Sequence, residues 1–60
     1  MDISNKHMVV ARLDGIYVLN PPSGPMSKDD AIALAAWLVV VAGDRGGEKF
    51  KEALIRVTAN

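Results

Sequence analysis

Between Ala31 and Ala42 the chain carries twelve residues without a polar side chain (AIALAAWLVVVA). A helix that is apolar on every face has to be surrounded. The run opens on a helix start signal: Ser27 suits the N-cap, and Asp30 three residues later completes a capping-box variant. It closes on Gly43, which suits the C-terminal cap. The pattern predicts helix 1 over residues 27–43. At 100° per residue, Ala31, Ala35 and Ala42 share a narrow stripe with Leu38 beside it. Leu34, Trp37, Leu38 and Val41 form a bulky ridge, and Ile32 and Val39 flank the stripe. Small residues in a row admit a close backbone. Packing on the chain's own hairpin or second helix accounts for the stripe, and so does pairing with a second copy across a two-fold axis.

Residues 8–20 (MVVARLDGIYVLN) predict a β-hairpin, with Asp14-Gly15 between two apolar, β-branched runs. A two-residue turn on that pair sets Leu13 opposite Ile16, Arg12 opposite Tyr17, Ala11 opposite Val18 and Val10 opposite Leu19. One face then carries Val9, Ala11, Leu13, Ile16 and Val18, and the other Met8, Val10, Arg12, Tyr17 and Leu19. A sheet with one wet face alternates apolar with polar. This one does not, so the hairpin is expected to be covered on both sides or continued by another chain at an edge.

The remaining segments connect and close the fold. Pro21, Pro22, Gly24 and Pro25 make a stiff strand-to-helix linker, which explains the bare PxxP spacing without a polyproline-ligand role. Residues 43–47 (GDRGG) form a tight turn in which Asp44 is placed to cap the second helix; they come after a helix and lack the Gly-Lys-Ser/Thr ending of a phosphate loop. Helix 2 is predicted over residues 47–58, with Phe50, Ala53, Leu54 and Val57 on one stripe and Glu48, Lys49, Lys51, Glu52 and Arg56 on the wet side. Residues 1–7 are expected to be loosely ordered. The fold class is therefore α+β, one small ββαα domain over residues 1–60. Helix 1 lies under the hairpin and against helix 2, and near the two-fold axis of a homodimer.

Size and composition strengthen the case for association. A chain of 60 residues buries only about 60% of the surface it exposes when unfolded. It has no cysteine to form a disulfide and no ligand cluster for a structural metal, which leaves oligomerisation as the remaining support. Half of its residues are hydrophobic, and seven basic residues balance seven acidic ones. Zero net charge argues against nucleic acid as the main partner and removes a repulsion that keeps chains apart. The apolar run rises about 18 Å as a helix, short of the roughly 20 residues that a bilayer core needs. The chain reads as a cytoplasmic protein with no membrane partner.

No catalytic constellation is visible. His7 stands alone near the N-terminus, and Ser4, Ser23 and Ser27 occupy a terminus, a loop and a cap. The paired Asp29 and Asp30 fit the first turn of a helix better than a metal or acid–base site. Tyr17 faces Arg12 across the hairpin, a stacked cation–π pair. The expectation is therefore a nonenzymatic protein with no cofactor. Its candidate interface comprises Ala31, Leu34, Ala35, Trp37, Leu38 and Val41 on helix 1, with Tyr17 and Leu19 on the hairpin. Monomers seldom leave large apolar patches open unless they bind something there, and aromatic anchors are favoured at such places. The alternative is a small dimeric DNA-binding regulator, because two helices about a glycine turn outline a helix-turn-helix. On helix 2, however, Glu48 and Glu52 cancel Lys49 and Lys51, and Arg12 is the only basic strand residue.

The order of hairpin, SKDDAIALAAWLVVVAG helix and short amphipathic helix resembles small uncharacterised proteins of tailed bacteriophages and prophages. In those, a Ser/Thr-initiated, acidic-capped helix with an Ala-Ala-Trp-Leu-Val core precedes a second helix. The matching stretch here is Ser27 to Gly43, with a looser match to Val57. The resemblance implies no activity and no functional residue. It implies a context: a small phage accessory protein that acts by binding a host protein in the host cytoplasm.

Overall fold

The computed structural model describes all 60 residues. Strands β1 (Val9–Arg12) and β2 (Gly15–Val18) form an antiparallel hairpin, followed by helices α1 (Lys28–Val41) and α2 (Glu48–Thr58). The architecture is α+β with the expected ββαα order. No helix is long and apolar enough to cross a membrane.

The hairpin register differs from the expectation. Val9 pairs with Val18, Val10 with Tyr17, Ala11 with Ile16 and Arg12 with Gly15. Leu13 and Asp14 therefore form the turn, and Gly15 is the first residue of β2. Placing Asp-Gly at the centre of the turn requires a I′ geometry with positive φ at both central residues. Asp14 lacks it, and of that pair Gly15 alone has a positive φ, at 145°. Each residue's partner shifts by two positions, so the two face sets survive except for Leu13, which moves into the turn, and Arg12 meets Tyr17 diagonally, 4.9 Å from the ring centroid.

Both helix caps on α1 follow from the sequence. The Ser27 hydroxyl accepts from the Asp30 amide at 3.0 Å. At the other end the Asp44 amide donates to the Val39 carbonyl and the Gly43 amide to the Val40 carbonyl, with Gly43 at φ 90°. That pair of bonds is a Schellman motif. The cap of α2 is less direct. The N-cap position belongs to Gly47, in left-handed conformation and without a side chain, while the Asp44 carboxylate reaches forward to the amides of Lys49 (3.3 Å) and Phe50 (2.8 Å).

Residues 1–7 carry more structure than expected. The Asn5 amide group bonds both backbone groups of Val9, at 3.0 and 3.1 Å. Lys6 Nζ lies 3.0 Å from the Asp30 carboxylate, and the Asn20 side chain donates to the Lys6 carbonyl. His7 Nδ1 lies 2.8 Å from the Asn20 carbonyl, a contact in which the ring nitrogen donates. These bonds tie the N-terminal segment to the foot of the hairpin and to the start of α1.

Little of the chain is enclosed. Only Val9 and Ala33 are buried, so the core is small and lies where β1 packs on α1. The expected seat of α1 against α2 is slight. No residue of α2 is buried, α2 makes only marginal contact with the rest of the fold, and Leu54, Ile55 and Val57 are exposed. The accessible surface is 4870 Å², whereas the scaling for folded monomers of this mass gives about 3,800 Å². The radius of gyration is 12.2 Å, against about 10.4 Å for a close-packed chain of this length.

Candidate interaction surface

The open angle between α1 and α2 creates the largest apolar feature of the molecule. Ala31, Ile32, Ala35 and Ala36 of α1 form one wall of a groove whose other wall is Phe50 and Leu54 of α2, enclosing about 440 Å³. It continues towards the α1–α2 turn as a second hollow of about 410 Å³, floored by Ala35, Leu38, Val39, Ala42 and Phe50, with Asp44 and Lys49 at its rim. The small side chains of α1 leave the space, and the Phe50–Leu54 stripe of α2 faces it without filling it. Elsewhere on α1, Ala33, Ala36, Trp37 and Val40 form a smaller hollow with Ile3, of about 260 Å³.

This distribution divides the expected interface. Ala31, Ala35 and Leu38 line the groove. Trp37 lies on the hollow beside the N-terminal segment, half-buried, and its indole N–H donates to the Ile3 carbonyl at 2.8 Å. Its polar handle is thus taken up within the chain. Leu34 and Val41 are half-buried and line none of the hollows. Tyr17 and Leu19 are exposed on the hairpin and do not join the α1 residues. The groove residues that the expected interface omits are Ile32, Ala36, Val39, Ala42, Phe50 and Leu54, with Asp44 and Lys49 at the rim. The Phe50–Leu54 stripe is visible as amphipathic periodicity, but periodicity marks an apolar face without saying what covers it.

The polar groups are used locally. The Tyr17 hydroxyl donates to the Asp14 carboxylate, which, with a smaller contribution from desolvation, raises the phenol above its usual pKa. The Asp2 carboxylate is held below its usual value, first by the Ser4 backbone amide and the Ser4 side chain, then by the positive charges of Lys6 and the N-terminus. Among the basic residues, Lys6 pairs with Asp30, Arg56 with Glu52, and Arg12 covers the Tyr17 ring. No group of three or more histidine, cysteine, aspartate or glutamate side chains is arranged to hold a metal. Chemically, the surface offers apolar burial and backbone hydrogen bonding. Comparison of the chain with protein-family models, with curated proteins and with solved structures found no match.

Proposed function

We propose that the chain is a noncatalytic protein-interaction module that works as a homodimer, a small phage-type accessory protein that acts by binding a host protein. The supporting observation is the open apolar groove between α1 and α2. The exposed Val40, Ile55 and Val57 extend the apolar surface of the two helices beyond the exposed Ile32 and Leu54 of the groove, and larger exposed apolar patches mark interaction sites. The chain exposes roughly 1,100 Å² more than its mass requires, and a stable interface covers about 800 Å² on each partner. One copy therefore has enough surplus to form an interface and keep a remainder for a second protein.

Light scattering across a dilution series tests the self-association. A mass twice 6.4 kDa that holds on dilution is the expected result. A mass of one chain at every concentration removes the homodimer. The hetero-interaction is tested by capture from bacterial lysate, comparing the wild type with Ala35→Glu, which puts a charge on the groove floor. A host protein retained by the wild type and lost with Ala35→Glu supports the reading, and identical retention removes the groove as the contact surface.

A further inference from the structure

The two edges of the hairpin are treated differently. In an antiparallel ladder, alternate residues turn their backbone groups outward. The Leu19 amide bonds the Met8 carbonyl, which sets the phase: Val10 with Tyr17 and Arg12 with Gly15 exchange bonds, while Val9, Ala11, Ile16 and Val18 face outward. On β1, the outward groups of Val9 are both occupied by the Asn5 side chain, which stands in for a neighbouring strand. Nothing equivalent covers β2. From Gly15 to Leu19 it has no charge and no proline, two of the devices that keep sheet edges apart.

We propose that the β2 edge is the self-association site, pairing antiparallel with β2 of a second copy about a two-fold axis at Tyr17. This rests on the homodimer reading above and names where the two copies meet. The register is self-complementary: Ile16 lies opposite Val18 of the other copy, and Val18 opposite Ile16. Four outward backbone groups on each chain are then satisfied, two N–H and two C=O. The two hairpins, each already backed by its own α1, become one four-stranded sheet. A second copy fits better than an unrelated peptide because it brings the same uncharged edge in the same register, and because the surplus surface of each copy, about 1,100 Å², exceeds the roughly 800 Å² that a stable interface takes from each partner. The groove between α1 and α2 is left free for the host protein.

The chain has no cysteine, so single substitutions report cleanly. In the proposed register the two Tyr17 residues form a non-hydrogen-bonded pair with Cα atoms about 4.5 Å apart, within disulfide range. Tyr17→Cys, oxidised by dissolved oxygen with a copper catalyst, is expected to become a covalent dimer at least tenfold faster than Ala11→Cys on the β1 edge. Ile16→Pro removes an outward donor without removing an internal ladder bond, and is expected to halve the solution mass while the circular dichroism spectrum is kept. A dimer whose Tyr17→Cys variant cross-links no faster than Ala11→Cys overturns edge pairing and leaves the homodimer standing. A wild type that is monomeric at every concentration overturns both.

Discussion

The N-terminal third with α1 and the C-terminal helix α2 are built on different principles. The first is stitched together by bonds between residues far apart in the chain: Trp37 to Ile3, Lys6 to Asp30, and His7 and Asn20 across the base of the hairpin. The second is specified locally. Asp44 satisfies two of its first amides, Glu52 pairs with Arg56 one turn on, and the Thr58 hydroxyl bonds the Leu54 carbonyl. None of these bonds fastens α2 to another element. Secondary structure and tertiary attachment are thus separable within 60 residues, and the apolar face of α2 is free because nothing long-range consumes it.

The contrast breaks most sharply at Val9. Val9→Asp puts an unpaired charge into one of the two buried positions and is expected to cost about 4 kcal/mol or more, enough to unfold so small a domain. Urea denaturation followed by circular dichroism reads it, and a loss below about 1 kcal/mol would show that the β1–α1 contact does not hold the fold. Next in size is Trp37→Ala. Half-burial and the lost indole bond set its cost at about 2–3 kcal/mol, below the value for a fully buried tryptophan. Phe50→Ala should cost less than about 1 kcal/mol, since the ring faces an open groove. Equal costs at the two positions would mean that α2 is as firmly attached as α1.

Asp44→Ala separates the two regions from the other side. Losing both cap bonds is expected to cost about 1 kcal/mol and to be felt in α2 alone. Hydrogen exchange should quicken for the amides of α2 while Val10 and Tyr17 keep their protection; uniform quickening would tie the regions together. A smaller effect of opposite sign is expected at Met8, which holds φ 52° just before β1. Met8→Gly relieves a left-handed torsion that costs a side-chain-bearing residue about 1 kcal/mol or more, and part of that gain should survive the added chain entropy. A lowered denaturation midpoint would contradict it. The smallest effect is on Tyr17. Its phenol is raised, so the Asp14 bond stabilises the fold fully below the ordinary phenol pKa, and that contribution is lost as pH rises through the folded value. Tyrosinate absorbance should move to lower pH in Asp14→Asn, and an unchanged titration would show that the carboxylate does not act on the ring.

The elements are legible in the sequence because each carries its own signal: Ser27 and Gly43 bracket α1, the Phe50–Leu54 stripe marks α2, and β-branched runs flank the turn. The hairpin faces are legible because strand periodicity is two. The register is not, since a slip of two residues leaves both faces unchanged and only the torsions at Leu13, Asp14 and Gly15 decide it. The role of Asn5 is also hidden, because a side-chain amide pairing with Val9 leaves no mark in any hydrophobic pattern. Ala31, Ala35 and Ala42 stand out as a small-residue stripe with Leu38 beside it, yet their opposite wall depends on where α2 comes to rest. Trp37 reads as a free anchor because nothing in the first seven residues marks Ile3 as the acceptor for its indole.

That resting place is decided by a joint. Between the Schellman end of α1 and the first turn of α2, Gly43 and Gly47 hold positive φ, and the backbones of the two helices make only marginal contact across the angle. α2 is therefore a lever about 16 Å long pivoted on a handful of backbone torsions, and a rotation of about 20° carries its far end by roughly 6 Å. The aperture of the groove is a property of that pivot, so substitutions at Gly43 or Gly47 would retune which shapes are admitted without altering any residue that lines it.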